Sequence, residues 1–303
     1  MVNRTPNEVI SGYRGRFAPS PSGNLHFGSL VTALASYLLA RQADGQWLLR
    51  IDDIDTPRVQ SGAADAILTT LEAHSLLWDE AVYYQSLQSD RYEHHLRLLQ
   101  QRQQCYFCDC TRQAIKARAP QYDGFCRSRH LSGQDCAVRL RNPGQSLVLK
   151  DTLLGDIRPP EAIVNEDFVL RRRDGIWGYH LVAVLDDLNQ GITQVVRGAD
   201  LLLPSACQLV LYELLGENPP SFLHVPLAVS APGKKLSKQN HSPQLKNSQA
   251  SDNLMQALEY LGLKVPLQLH GAACSELLKW AVAHWHVGNL GKASEKKVAA
   301  HWC

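Results

Sequence analysis

The chain has 303 residues, 45% hydrophobic and 20% charged, with 31 Lys and Arg against 29 Asp and Glu for a net charge of +2. That balance belongs to an ordinary globular protein of one large or two unequal domains, and it makes any basic surface for a polyanion a local one. No apolar run approaches the roughly 18 residues of a membrane helix, and Met1 to Gly12 carries no charged-then-apolar leader, so a cytoplasmic protein with no membrane partner is expected.

Residues 13–18 read as a short strand ending in a Pro/Ser/Gly-rich turn, Arg16 to Ser29. Leu30, Ala33, Leu34, Tyr37 and Leu38 then recur at helical spacing, predicting a helix over 29–43 that Asp44-Gly45 ends. Trp47 to Ile51 reads as a buried strand, completing a parallel strand–helix–strand crossover. Helices are expected over 61–76 and 90–104. Residues 105–165, rich in Cys, Arg, Gly and Pro, read as an insertion, with Leu147–Lys150 and Ala162–Leu170 as its strands. The nucleotide-type fold resumes with Trp177 to Asp187, Gly191 to Val196 and a helix near 205–215. A polar loop over 231–250 is long enough to be functional. Two helices follow, one near 252–261 with Asp252 or Asn253 as cap and one near 274–287. The His/Trp-rich tail beyond reads as packing and surface.

The turn at 16–29 has the makings of a phosphate cradle. Gly23 and Gly28 admit close backbone approach, the helix start presents N–H groups, and His26 is placed to donate to a phosphate oxygen. Asp52, Asp53 and Asp55 gather beyond a strand end, where folding alone explains three carboxylates poorly. The loop lysines around Lys234 to Lys238 suit a closing triphosphate contact. An arginine is the apt residue type for a carboxylate, because its planar fork binds both oxygens. Tyr179 beside an apolar segment is open to a core reading as well. Five of the 8 cysteines, Cys105, Cys108, Cys110, Cys126 and Cys136, fall in one window, which argues for metal over disulfides in a cytosolic chain. Four donors are needed for zinc, with Cys105, Tyr122, His130 and Cys136 as the candidates beside Cys108, Cys110 and Cys126.

Residues 16–29 resemble the HIGH signature of class I aminoacyl-tRNA synthetases in its glutamyl and glutaminyl form, with His26-Phe27-Gly28-Ser29 in the HIGH slot. Arg50 to Arg58 is similar to that branch's acidic motif, with Asp52 where the glutamyl type usually has Glu, and Lys235-Leu236-Ser237-Lys238-Gln239 resembles KMSKS. The resemblance covers about 13–250 and implies an α/β fold: a Rossmann-type parallel sheet with an inserted zinc-containing α+β acceptor-type subdomain and a short helical C-terminal region. The implied division is 1–104 and 166–227 for the two Rossmann halves, 105–165 for the insertion, and 228–303 for the lysine loop and helical tail without an anticodon-binding domain. It also implies site roles. Arg16, Phe17, Ala18, Pro19, Ser20, Asp52, Tyr179 and Arg197 would hold glutamate. His26, Gly28, Ser29, Lys235, Ser237 and Lys238 would hold ATP, with His26 and Lys238 catalytic. Cys108, Cys110, Tyr122 and Cys126 would hold a structural zinc ion, and Mg2+ would accompany ATP. About fifty residues follow the lysine loop, and in that brevity the chain resembles the truncated paralogues that pass activated glutamate to the queuosine base of tRNA(Asp), with activation independent of tRNA. The expected partners are therefore ATP, L-glutamate and queuosine-bearing tRNA(Asp), and the expected state is a monomer. Charging of a tRNA 3′ end and an inactive tRNA-binding paralogue stand as the alternatives.

Overall fold

The computed structural model describes residues 12–144, 147–236 and 243–302. Strand β1 (Arg14–Phe17) leads through the turn into α1 (Phe27–Gln42) and back into β2 (Gln46–Ile51). Then come α2 (Ala63–Ala73), β3 (Tyr83–Tyr84), α3 (Ser89–Gln101), β4 (Cys105–Cys108), α4 (Arg112–Arg118) and β5 (Ala137–Leu140). The middle of the chain holds β6 (Leu149–Asp151), β7 (Gly155–Ile157), α5 (Glu161–Val164), β8 (Val169–Arg171) and α6 (Tyr179–Asn189). It continues with β9 (Gln194–Gly198), α7 (Leu202–Leu215), β10 (Ser221–Val225), β11 (Leu227–Ala231) and β12 (Lys234–Lys235). Helices α8 (Ala250–Tyr260) and α9 (Cys274–His284) and strand β13 (Glu295–Lys297) complete it. Among the described residues no helix is long and apolar enough to cross a membrane.

The central layer is parallel. β1 pairs with β2 and β2 with β3, while β9 pairs with β10 and β10 with β6. The two groups meet where β9 runs beside β1, joined by the Thr193 N–H donating to Arg14 O at 2.9 Å. Buried Leu30, Val31, Leu34 and Leu38 on α1 pack over this seam with Phe17 and Trp47, whose rings stack at 6.4 Å. Helices α8 and α9 cover α1 from outside. Apolar burial on both sides of a parallel sheet is what makes its strands read as continuous hydrophobic runs. The α1–β2 connection needs glycine at position 45, since a Cβ there would lie 2.4 Å from Tyr13 O.

Several elements differ from the expectation. Leu147–Lys150 is not an insertion strand: β6 joins the parallel sheet through β10 and forms an antiparallel hairpin with β7. Ala162–Leu170 is split between α5 and the start of β8, and the antiparallel sheet at this level is β4-β5-β8. Neither Asp252 nor Asn253 caps α8. The helix begins at Ala250, and buried Asn253 donates instead to Lys246 O at 3.1 Å and faces His74 Nε2 at 3.2 Å. Helix α9 stops at His284 because Trp285 turns extended to donate its indole N–H to Leu261 O at 3.0 Å. Left-handed Ser75 and Gln103 lie just past the earlier ends of α2 and α3. The tail does more than cover surface: β13 pairs in parallel with β11, and the Trp302 ring stacks on Phe27 at 4.5 Å.

Candidate active site

The turn after β1 and the start of α1 open onto a cavity of about 560 Å³. His26 is the N-cap of α1, and its Nδ1 accepts from the Ser29 N–H at 3.3 Å. A neutral ring used this way carries its proton on Nε2, which lies 3.3 Å from the Ser29 hydroxyl. The cap therefore holds a ring N–H donor beside the free amides of a helix start, an arrangement suited to an anion. A Cβ on Gly28 would press on that ring at 3.2 Å.

Opposite the cradle, buried charges form a continuous network. Arg16 Nε meets Asp187 Oδ1 at 3.0 Å, Arg50 Nη1 meets the same oxygen at 2.7 Å, and Arg50 Nε meets Asp52 Oδ1 at 2.8 Å. Burial would raise the Asp187 carboxyl, but Arg16 and Arg50 together hold it below the usual range. Asp52 pairs with Arg50 alone where Asp187 has two arginines, so burial prevails and pushes it up to about 6. Its backbone N–H donates to Pro19 O at 3.0 Å, which ties the acidic turn to the cradle. Neighbouring Asp186 faces away, accepting from Tyr83 and Gln85 at 2.7 Å and from Tyr92 at 2.8 Å.

Arg197 stands on β9, buried, with neutral partners. It donates to Ser205 Oγ at 2.5 Å, Gln208 Oε1 at 2.7 Å and Tyr179 Oη at 3.2 Å, and its buried Nε has no acceptor. Among the described residues no carboxylate pairs with it. Burial lowers its pKa, as expected of a cation lacking a counterion. Tyr179 starts α6 at the cavity mouth and is 39% exposed, so it is not a core aromatic. Gly178 sets that start, since a Cβ there would lie 2.1 Å from Val169 O.

The lysine loop returns to the same place. Lys235 pairs with Asp200 at the cavity edge. Past the loop, the Leu245 N–H donates to Leu25 O at 3.1 Å and Asn24 donates to Gln244 Oε1 at 2.7 Å. Ser237 and Lys238 lie outside the described residues. Every other residue expected to hold glutamate or ATP lines this one cavity: Arg16 to Ser20, His26, Gly28 and Ser29, then Asp52, Tyr179, Arg197 and Lys235. Sequence reasoning missed Ser205 and Gln208 on α7, His224 on β10 and Asp151 on β6. None of them belongs to a motif or a repeating pattern, so spacing carries no signal for them.

A second constellation lies in the insertion. The thiols of Cys108, Cys110 and Cys126 lie within 4.8 Å of one another, with Cys110 and Cys126 sulfurs 3.5 Å apart. Buried Tyr122 packs among them, and its hydroxyl accepts from the Cys126 N–H at 2.8 Å. Arg118 and Arg129 donate to the sulfurs of Cys110 and Cys126 at 3.3 and 3.4 Å, placing positive charge where thiolates would need it. Three converging sulfurs with an oxygen beside them fit a tetrahedral ion. Cys105 and Cys136 are free thiols outside this group.

Fold and cavity define the catalytic body of a class I tRNA synthetase, and the comparisons agree. The profile of tRNA synthetases class I (E and Q), catalytic domain, matches residues 13–265. The fold is similar to the glutamate-tRNA synthetase of Elizabethkingia anophelis, at a TM-score of 0.76 and 26% identity over 95% of this chain and 68% of that one. The glutamate tRNA ligase of Elizabethkingia meningosepticum, solved in complex with its amino acid, gives 0.77 at 26% identity over 95% and 67%. Among curated sequences the chain is 49% identical to the glutamyl-Q tRNA(Asp) synthetase of Idiomarina loihiensis over 90% of its own length and 96% of that protein. It is 49% identical to that of Serratia proteamaculans over 92% of each and 46% identical to that of Vibrio cholerae over 93% of each. The chain belongs to the glutamyl-Q tRNA(Asp) synthetase family, and it is an enzyme of the ligase type.

Proposed function

We propose that the protein activates L-glutamate with ATP and transfers it to the queuosine base in the anticodon of tRNA(Asp), the activation needing no tRNA. The observation that carries this reading is the unneutralised Arg197 fork facing the same cavity as the His26 cradle. A buried cation without a counterion favours an anionic side chain over an amide one, which separates glutamate from glutamine.

In the first step an α-carboxylate oxygen of glutamate forms a bond to the α-phosphorus of ATP as the bond to the bridging oxygen breaks and pyrophosphate leaves. The His26 Nε2–H and the α1 amides stabilise charge on the phosphate oxygens, with Lys235 and Lys238 closing from the loop. Ser29 and Gly28 hold the cradle in shape. Asp52 meets the ammonium group of glutamate, Arg197 and Tyr179 hold a carboxylate, and Arg16 with the Phe17 to Ser20 backbone frames the acid. Mg2+ bound with ATP supplies further charge neutralisation. In the second step a hydroxyl of the queuosine cyclopentenediol attacks the glutamyl carbonyl, AMP leaves and the hydroxyl proton is released. Cys108, Cys110, Tyr122 and Cys126 would hold a zinc ion that organises the insertion. We propose the division into two Rossmann parts (1–104, 166–227), insertion (105–165) and C-terminal part (228–303), with the β6–β7 hairpin serving the parallel sheet and β8 the antiparallel sheet of the insertion, and a monomer acting in the cytoplasm.

The test is ATP–pyrophosphate exchange with glutamate alone, followed by transfer of labelled glutamate to tRNA(Asp) with and without queuosine. Exchange without tRNA and transfer only to the queuosine-bearing form are expected. Exchange that requires tRNA, or label on the 3′ adenosine, overturns the reading.

A further inference from the structure

Behind Arg197 lies a chain of buried groups that the proposed chemistry does not use. Ser205 Oγ is 2.6 Å from His224 Nε2, and His224 Nδ1 is 2.7 Å from Asp151 Oδ2. His224 and Ser205 are 0% exposed, and Asp151 is fully buried at its side chain. Asp151 is itself locked, accepting the backbone N–H groups of His224, Leu153 and Leu154 at 2.8–2.9 Å. None of the three lines the cavity.

The proton inventory gives the chain a direction. An ionised Asp151 only accepts, so His224 Nδ1 carries a proton. Burial and the nearby Arg197 charge disfavour a second proton on the ring, despite Asp151. Nε2 is then bare and accepts the Ser205 proton, for which Leu201 O, at 2.7 Å, is the competing acceptor. Arg197 only donates. Whichever way the hydroxyl turns, its oxygen accepts from Arg197 Nη2.

The contrast with Arg16 shows what such a chain achieves. Arg16 is gripped by the Asp187 carboxylate, which fixes the guanidinium and neutralises it. Arg197 is fixed by Ser205 and Gln208, which orient it and leave its charge intact. We infer that Asp151, His224 and Ser205 are positioning residues that hold the Arg197 fork through a polarised but uncharged acceptor, keeping its charge available to a substrate carboxylate. The carboxylate that orients the chain is set two residues back, where it cannot compete with the ligand. This rests on the glutamate reading above.

The experiment is steady-state ATP–pyrophosphate exchange on the full chain with Ser205→Ala, Ser205→Thr and His224→Gln, beside Arg197→Ala as reference. For Ser205→Ala the KM for glutamate should rise roughly tenfold, the value of about one charge-assisted hydrogen bond, with the KM for ATP within about twofold. The preference for glutamate over glutamine should fall in the same variant. Ser205→Thr, which keeps the hydroxyl, should restore both. His224→Gln should move the glutamate KM in the same direction, and it decides the matter should Ser205→Ala not fold. An unchanged glutamate KM in the folded variants, or equal rises for glutamate and ATP, overturns the inference while a strong Arg197→Ala effect leaves the glutamate reading standing. An Arg197→Ala variant that still activates glutamate normally overturns both.

Discussion

Leu245 donates its backbone N–H to the carbonyl of Leu25 at 3.1 Å, so the segment following the lysine loop is stitched to the residue just before His26. The bond explains how two short motifs far apart in the chain come to border one cavity. The loop departs from β12 at Lys235, beside Asp200, and is received again at the cradle, so both of its ends are fixed at the rim.

Arg197→Ala should lower kcat/KM for glutamate in pyrophosphate exchange by at least about a hundredfold, since charge-assisted contacts to a carboxylate are lost. ATP binding, followed by equilibrium dialysis, should be almost unchanged. Equal losses for both substrates would remove Arg197 from the amino acid site.

Asp52 should give glutamate binding a pH dependence. Its carboxyl is pushed up to about 6, so it is charged above that pH and neutral below it. If it meets the substrate ammonium, the glutamate KM should climb as pH falls through about 6. Asp52→Asn should raise the KM at pH 7.5 to near the low-pH value of the native chain and flatten the profile. For stability the sign is the opposite of the usual carboxylate case: a raised folded-state pKa means that the ionised form opposes folding, so this group's contribution improves as pH falls from about 6 toward the unfolded value.

Metal analysis of the purified protein should find zinc near one equivalent, lost in Cys126→Ser. Stripping the ion with a chelator should lower the melting temperature by several degrees and speed amide exchange in β4 and β5, which frame the cysteine cluster. Unaltered exchange after verified removal would argue against a structural ion.

Gly178→Ala should cost on the order of 2 kcal/mol, because the new methyl meets the Val169 carbonyl at 2.1 Å in a backbone that cannot yield cheaply. The relief available is a shift of the α6 start, which carries Tyr179. Thermal melts should therefore fall together with glutamate affinity. Lower stability with an unchanged glutamate KM would uncouple the α6 start from the site.

How far the sequence could be read depended on whether a feature was local. The crossover from β1 through α1 to β2 was legible because Leu30, Leu34 and Leu38 repeat at helical spacing and Trp47, Leu48, Leu49 and Ile51 give β2 an apolar run. Gly23, His26 and Gly28 were legible because a phosphate cradle is built within one turn. Asp52 and Arg197 could be singled out by motif, while the Arg50–Asp187 bond linking their neighbourhoods at 2.7 Å is a product of tertiary folding. β6 was misplaced for a like reason: three residues, Leu149–Asp151, read equally well for either sheet, and only the partner β10 decides. Asn253 looked like a cap because its residue type favours caps, yet packing against His74 took it into the helix. His224 and Ser205 offered nothing to read, since a lone His in a strand and a lone Ser in a helix are ordinary until brought within 2.6 Å.

β11 has two neighbours, and one of them is β13; Phe27, at the first turn of α1, is covered by Trp302. The cradle and the base of the lysine loop are thus braced by segments that come later in the sequence than either. A nascent chain made only as far as the lysine loop holds its substrate-facing residues but lacks the brace, so vectorial folding delays a competent pocket until the stretch reaching Trp302 has been made. Trp302→Ala, expected to cost about 3 kcal/mol, should accordingly reduce the yield of active enzyme from cell-free translation more than it reduces the specific activity of molecules already folded.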